Sequence, residues 1–231
     1  MRIVKEHDER FAEFLDTGRR LFFAKGYELV SVQEITESIG VSKGNFYHYF
    51  SSKEDMLDQM VMRFSRELLE SSLPILDRTD LPAEQKLQEF FVSIRSFKLE
   101  NLDLVLTVTK CIIDPRNLRF RDKYYREMIR LFAPHVAATI REGIESERFD
   151  SLDPEICAEI LMTVFLHYGE AISVAILSDP GAPEAAERVI HQMDVLVRSM
   201  ERILGLNEGT IRLVDPDVIH RFVDALKRDL Q

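Results

Sequence analysis

Apolar residues recur at three- and four-residue spacing along nearly the whole chain, and the period-two alternation of half-buried strands is scarce. The pattern predicts an all-α protein. Phe11, Phe14, Leu15, Gly18, Leu21 and Phe22 share one stripe while Arg10, Glu13, Arg19 and Arg20 fall elsewhere, the signature of an amphipathic helix facing a core. Gly26 supplies a left-handed residue to end it. Ser31, with Glu34 three positions on, makes a capping-box pattern for a short helix that turns Val32, Ile35 and Ile39 inward. Gly40 ends that helix, Val41 tucks into the turn, and Ser42 caps the next. Two short helices joined by such a turn form a helix-turn-helix. Ser51 or Ser52 then caps a longer helix with Glu54 and Asp55 at its positive end and a stripe of Met56, Leu57, Met60, Val61, Phe64 and Leu68.

Further breaks are expected at Pro74, Pro82, Pro115, Asp153-Pro154, the run from Asp179 to Pro183, Gly205 and Asp215-Pro216. The segment Leu104–Thr109 has β-branched residues at alternate positions and is compatible with a strand. It would have no partner strand, so the helical reading is kept.

Composition narrows the class. With 231 residues, 45% hydrophobic and 30% charged, the chain can bury a real core. Two cysteines, Cys111 and Cys157, make no disulfide framework and read as reduced thiols. No signal-like start and no long uncharged apolar run is present, so a cytoplasmic protein with no membrane segment is expected. The net charge of -10 argues at first against nucleic acid. Local distribution reverses that inference. Between Ser38 and Lys53 the only formal charges are Lys43 and Lys53, and acids resume at Glu37 and Glu54. The second short helix thus offers Ser42, Lys43, Asn45, Tyr47 and His48 to phosphates and base edges with no carboxylate to repel the backbone. Gly44 keeps one side slim, and Phe46, Tyr49 and Phe50 form the core-facing side. Each residue also has a plainer reading: Ser31, Ser42 and Ser52 as caps, Tyr47 as packing, Lys43 and Lys53 as solvated charges. Their joint placement around one capped helix favours the DNA-reading role.

The stretch SVQEITESIGVSKGNFYHYFSSKEDML, from Ser31 to Leu57, resembles the helix-turn-helix of TetR/AcrR-family transcriptional regulators, and the preceding FLDTGRRLFFAKGYELVSV resembles that family's first helix and Gly-aromatic link. The match covers roughly the first 60 residues. The resemblance implies a three-helix DNA-binding domain over residues 1–52, with the helix-turn-helix at about 31–50, and a helical effector-binding and dimerisation domain over 53–231. It implies a ligand-responsive homodimer, most often a repressor, on a palindromic operator in double-stranded DNA. Carried across, Ser31, Ser42, Tyr47, His48 and Lys53 would contact phosphates, and Lys43, Gly44 and Asn45 would lie over base edges. Asn45 stands where the family often has a small hydroxyl or apolar residue, so base preference is not transferable.

Beyond Pro82 the helices are broadly apolar. Residues Ile156, Ile160, Val164, His167, Ala171 and Val174 form one stripe and Leu161, Phe165, Tyr168 and Ile172 much of the rest, which predicts a helix buried nearly all round. With Val189, Met193, Leu196, Met200 and Leu204 on the next, the pair from Pro154 to Leu177 and from Pro183 to Leu204 would, by the resemblance, form a four-helix dimer interface; filling the monomer core is the other reading. A final helix carries Val218, Ile219, Phe222, Val223 and Leu226. Phe97, Met128, Phe132, Met162, Phe165 and Tyr168 are candidates to line a pocket for an unknown small-molecule effector, or else ordinary core, with His135 and His167 as polar groups nearby.

No nucleophile elbow, phosphate-binding Gly-rich loop, metal-binding His pair or redox Cys-x-x-Cys occurs, so no enzymatic activity, metal or cofactor is expected. The competing reading is an all-helical interaction or ligand-binding protein that has lost sequence-specific DNA binding. The acid-free window tells against it.

Overall fold

The computed structural model describes residues 2–114, 117–178, 184–213 and 215–220, with side chains omitted at 2–6, 99, 102, 113 and 173–178. Among the described residues there is no strand. The helices are α1 (Arg2–Lys25), α2 (Val32–Ser38), α3 (Lys43–Tyr49), α4 (Lys53–Leu76), α5 (Ala83–Glu100), α6 (Leu102–Ile113), α7 (Leu118–Glu145), α8 (Pro154–Ser178) and α9 (Ala185–Ile203), with a 3-10 turn at Tyr27–Leu29. They group into two compact units, one from Met1–Glu67 with Asn101–Tyr124 and the other from Leu68–Glu100 with Tyr125–Gln231.

In the first unit the α1 stripe is buried as its spacing requires, with Phe14, Leu15 and Phe22 almost solvent-free against Ile35, Phe46, Phe50, Met56 and Leu57. Gly18 has a specific task there. A Cβ on it would lie 2.2 Å from the Met56 Cε, so any larger residue would force the end of that flexible side chain to shift. The segment compatible with a strand is helical and forms α6, which satisfies its own backbone without a partner. Its Asp103 takes two hydrogen bonds from Arg19 of α1, Nε to Oδ2 at 2.8 Å and Nη2 to Oδ1 at 2.7 Å. This fork-on-carboxylate geometry joins segments 84 positions apart and fixes α6 to α1.

In the second unit Phe90 and Phe91 of α5, Phe132 of α7, Leu161 and Met162 of α8, and Leu196 and Met200 of α9 form the core. Two buried charges are satisfied. Lys86 donates to both Glu142 oxygens at 2.9 and 2.7 Å. Glu201 accepts from the backbone N–H groups of Gly209 and Ile211 at 3.1 and 2.8 Å.

Several breaks fall where proline and its neighbours predict. Pro82 immediately precedes α5 and its carbonyl accepts from Gln85 and Lys86. Pro154 is the first residue of α8, with Asp153 Oδ1 accepting from the Ile156 N–H at 2.9 Å. Pro74 departs from expectation. It lies inside α4, which continues to Leu76; so close to the helix end, the ring removes one late backbone bond instead of breaking a long ladder. Helix α8 is not buried all round, because Ile156 and Ile160 are 57% and 43% exposed. The breaks at Pro115 and from Asp179 to Pro183, and the final-helix residues Phe222, Val223 and Leu226, lie outside the described residues.

Candidate nucleic-acid interface

The turn between α2 and α3 is short because its bonds close tightly. Gly40, at φ 70°, takes the left-handed conformation that a side chain would disfavour, while its N–H reaches the Glu37 carbonyl and the Val41 N–H the Thr36 carbonyl. Ser31 Oγ accepts from the Glu34 N–H at 3.1 Å and so caps α2. Ser42 caps α3 in the same way, accepting from the Asn45 N–H at a longer 3.4 Å. Ser52 caps α4 through the Asp55 N–H at 3.0 Å.

A seven-residue helix has little stability alone, so α3 depends on its anchors. Phe46 and Phe50 supply them. Phe46 is fully buried, and the rings of Phe14, Phe46 and Phe50 meet at centroid separations of 5.2 to 5.7 Å, two of the three contacts being edge-to-face. Fixing that side exposes the opposite one. Ser42, Lys43, Gly44, Tyr47 and His48 are all exposed, Tyr47 by 57%. Tyr49 is half-buried, against Phe14 at 5.5 Å. Asn45 is half-buried too, and its Oδ1 is enclosed with no hydrogen-bond partner.

Glu34, Glu37 and Asp55, which flank this surface, are tied down. Glu34 pairs with Lys25, and Glu37 accepts from Gln33 at 2.8 Å. Asp55 accepts from the Ser51 N–H at 2.8 Å and from its hydroxyl at 3.0 Å. The backbone bond from Ser51 is the chief reason that the Asp55 carboxyl titrates below the ordinary range.

Lys53 differs from the free ammonium expected of a phosphate-seeking residue. Its Nζ donates to the carbonyls of Tyr27 and Val30 at 2.8 and 2.9 Å and lies 4.2 Å from the Tyr27 ring centroid. Two of three donors are thus committed to the link between α1 and α2, and burial pushes its pKa down. The sequence carried no signal for this, since the carbonyls are backbone groups. His7 is a residue that sequence reasoning missed. Its ring lies 4.7 Å from Tyr49 and 6.0 Å from His48, which brings the first turns of α1 beside the end of α3. Its position one helical turn before Phe11 was the available clue.

The candidate pocket residues separate into two groups. Met128, Phe132 and Met162 are essentially solvent-free and pack in the core. Phe97, Phe165 and Tyr168 keep part of their surface. His135 is half-buried, and His167 stacks on Tyr125 at 4.0 Å with Nδ1 2.9 Å from the Thr163 carbonyl. Cys111 and Cys157 are both free and buried; burial pushes the Cys111 thiol up to about 12, far from a reactive thiolate. Among the described residues no cluster of three His, Cys, Asp or Glu could hold a metal, and no helix is long and apolar enough to cross a membrane.

Residues 14–60 match the family model for bacterial regulatory proteins of the tetR family. The chain is 29% identical over 164 residues to the HTH-type transcriptional regulator YfiR of Bacillus subtilis, covering 66% of this chain and 75% of that one. It is 24% identical over 201 residues to the HTH-type transcriptional repressor KstR2 of Mycobacterium tuberculosis, covering 85% and 94%. Among solved structures, a TetR-family transcriptional regulator from Syntrophomonas wolfei superposes with a TM-score of 0.65 at 19% identity, over 88% of this chain and 99% of the other.

Proposed function

Because the chain is a TetR-family transcriptional regulator, we propose that it acts as a ligand-responsive repressor that binds a palindromic operator as a homodimer in the cytoplasm. Residues 1–52 read DNA, and residues 53–231 hold the effector and the dimer contact. The observation that carries this reading is the face of α3: Ser42, Lys43, Gly44, Tyr47 and His48 exposed together, with no carboxylate between Ser38 and Lys53 and with Phe46 and Phe50 locking the opposite side.

In this reading α3 lies in the major groove, and half-sites are about 34 to 36 Å or a multiple apart. Ser31, Ser42, Tyr47 and His48 contact phosphates. Lys43 and Gly44 approach base edges. Asn45 joins them by turning its amide outward, a rotation favoured because its oxygen is unsatisfied where it lies. Lys53 acts at one remove, by holding the link that positions α2. The exposed Ile156 and Ile160 of α8 and Val195 of α9 supply the apolar surface that a second copy would cover. An effector regulates such a dimer only if it binds the DNA-competent and DNA-incompetent arrangements with different affinity.

The test is a gel-shift titration of the purified protein against fragments from around its own gene. Specific retardation that Lys43→Ala or Tyr47→Ala weakens at matched salt is the expected result. Absence of any specific shift, with and without candidate ligands, overturns the reading.

A further inference from the structure

Lys98, in the last turns of α5, has no salt-bridge partner among the described residues. Protein atoms enclose its ammonium, and burial with no opposing charge pushes its pKa down. The residue nevertheless keeps part of its accessible surface. The ammonium is therefore the enclosed end, and the surface that remains belongs to the residue as a whole. No acid among the described residues pairs with it; its recorded contact is the ring of Phe165, 5.9 Å from Nζ, and at that distance a ring face satisfies an ammonium only weakly.

Aromatic residues and open space adjoin the same side of α5. Phe165 packs on Phe91 of α5 at 4.7 Å, and Lys98 follows Phe91 by seven residues on the same side of that helix. Gly169 follows Phe165 by one turn, on the side of α8 opposite the exposed Ile156, Ile160 and His167. A Cβ built on Gly169 would meet no described atom within 4 Å, although the residue is half-buried and faces inward. Phe97, Phe165 and Tyr168, the three pocket candidates that keep surface, lie on these same two helices. One turn before Lys98, Arg95 donates through Nη1 to the Leu213 carbonyl at 2.5 Å, while its Nε is buried without an acceptor.

We propose that a hollow lies beside Lys98 and binds an effector with an apolar, ring- or chain-shaped body and a single carboxylate head, with the Lys98 ammonium as the counter-charge. This deepens the effector reading above and rests on it for its regulatory meaning. A buried ammonium left without a partner is unfavourable, and a carboxylate is the group that offsets it while the aromatic walls take the apolar body.

The test uses the full chain and matched pairs of probes: decanoate against decan-1-ol, and 4-phenylbutyrate against 4-phenylbutan-1-ol. Thermal shift and calorimetry read binding to wild type, Lys98→Met and Lys98→Arg. At least one carboxylate should bind wild type ahead of its alcohol. Lys98→Met should lose that preference, with about ten- to hundredfold weaker acid binding, and Lys98→Arg should recover part of it. Equal binding of acid and alcohol overturns the proposal, as does undiminished acid binding by Lys98→Met, or no carboxylate response in wild type up to about 1 mM. Repeating the DNA shift with each bound acid separates the two levels. A carboxylate that binds through Lys98 but leaves operator affinity unchanged removes the effector reading and keeps the site. A neutral compound that releases DNA equally from wild type and Lys98→Met keeps the effector reading and removes the anion site.

Discussion

Replacing Lys53 by methionine separates a structural ammonium from a phosphate contact. The stem is retained, while the bonds to the Tyr27 and Val30 carbonyls and the contact with the Tyr27 ring are lost. Two bonds from a charged donor contribute about 1.5 kcal/mol each at the low end suited to a half-buried group. The ring contact adds about 0.5 kcal/mol. Relief of the ammonium's desolvation returns part of this, leaving a net loss of about 2 kcal/mol. For a chain of this length that lowers Tm by about 4 to 8 °C. The second measurement is the slope of log affinity against log salt for operator DNA. Each phosphate neutralised by a lysine contributes about 0.9 to that slope, so loss of a lysine from both halves of a two-fold complex lowers it by about 1.8. Lys43→Ala, whose exposed ammonium is assigned to base edges, should weaken operator binding with unchanged Tm. Lys53→Met should instead show a lower Tm and a nearly unchanged slope. A Lys53→Met protein that melts with wild type but loses salt dependence refutes the reasoning.

Other perturbations test separate parts of the account. Tyr47→Ala removes an exposed ring, so operator affinity should fall about tenfold or more while thermal melting stays as in wild type; a matching drop in Tm would assign Tyr47 to packing. Asp55, held below its unfolded value of about 3.9 chiefly by the Ser51 N–H, contributes stability that is complete above that value and disappears as pH falls through its lower folded one. The urea midpoint of wild type should therefore exceed that of Asp55→Asn at about pH 6, with the gap closing toward about pH 2; a gap independent of pH would rule out the carboxylate as its source. Ile156→Asp combined with Ile160→Asp places charges on the exposed stripe of α8 and should halve the sedimenting mass while the helical circular dichroism is retained. An unchanged mass would put the dimer contact elsewhere.

The fold class and the helix-turn-helix were legible because they rest on local rules: periodicity, capping pairs and a glycine where the turn needs positive φ. Ser31, Ser42 and Ser52 cap three successive helices as their spacing predicts. The buried side of α3 was equally readable, since Phe46 and Phe50 recur at i and i+4. What stayed hidden depends on partners distant along the chain. Nothing near Arg19 indicates Asp103, and nothing near Lys53 indicates that backbone carbonyls would hold it. Pro74 misled because a proline's effect depends on how much helix follows it. The candidate pocket residues were hard to sort for a related reason. Methionine and aromatic residues at helical spacing look the same whether they are solvent-free, as Met128, Phe132 and Met162 are, or keep accessible surface, as Phe165 does. Lys98, on which the proposed site turns, drew no attention as one lysine among many.

The attachment of α6 to α1 bears on how the protein emerges from the ribosome. The unit that carries α3 is assembled from two stretches, and its second ends only at Tyr124. At about 5 to 20 residues per second, the nascent chain spends roughly 3 to 11 s between completing residue 67 and completing residue 124. Throughout that interval Arg19 lacks its carboxylate partner and the α6 side chains are absent from the unit. A recombinant fragment stopped at residue 67 would hold the chain permanently in that unfinished state, aggregation-prone and with α3 imperfectly supported. The smallest piece that completes the unit carrying α3 therefore extends through α6, far beyond the helix-turn-helix itself.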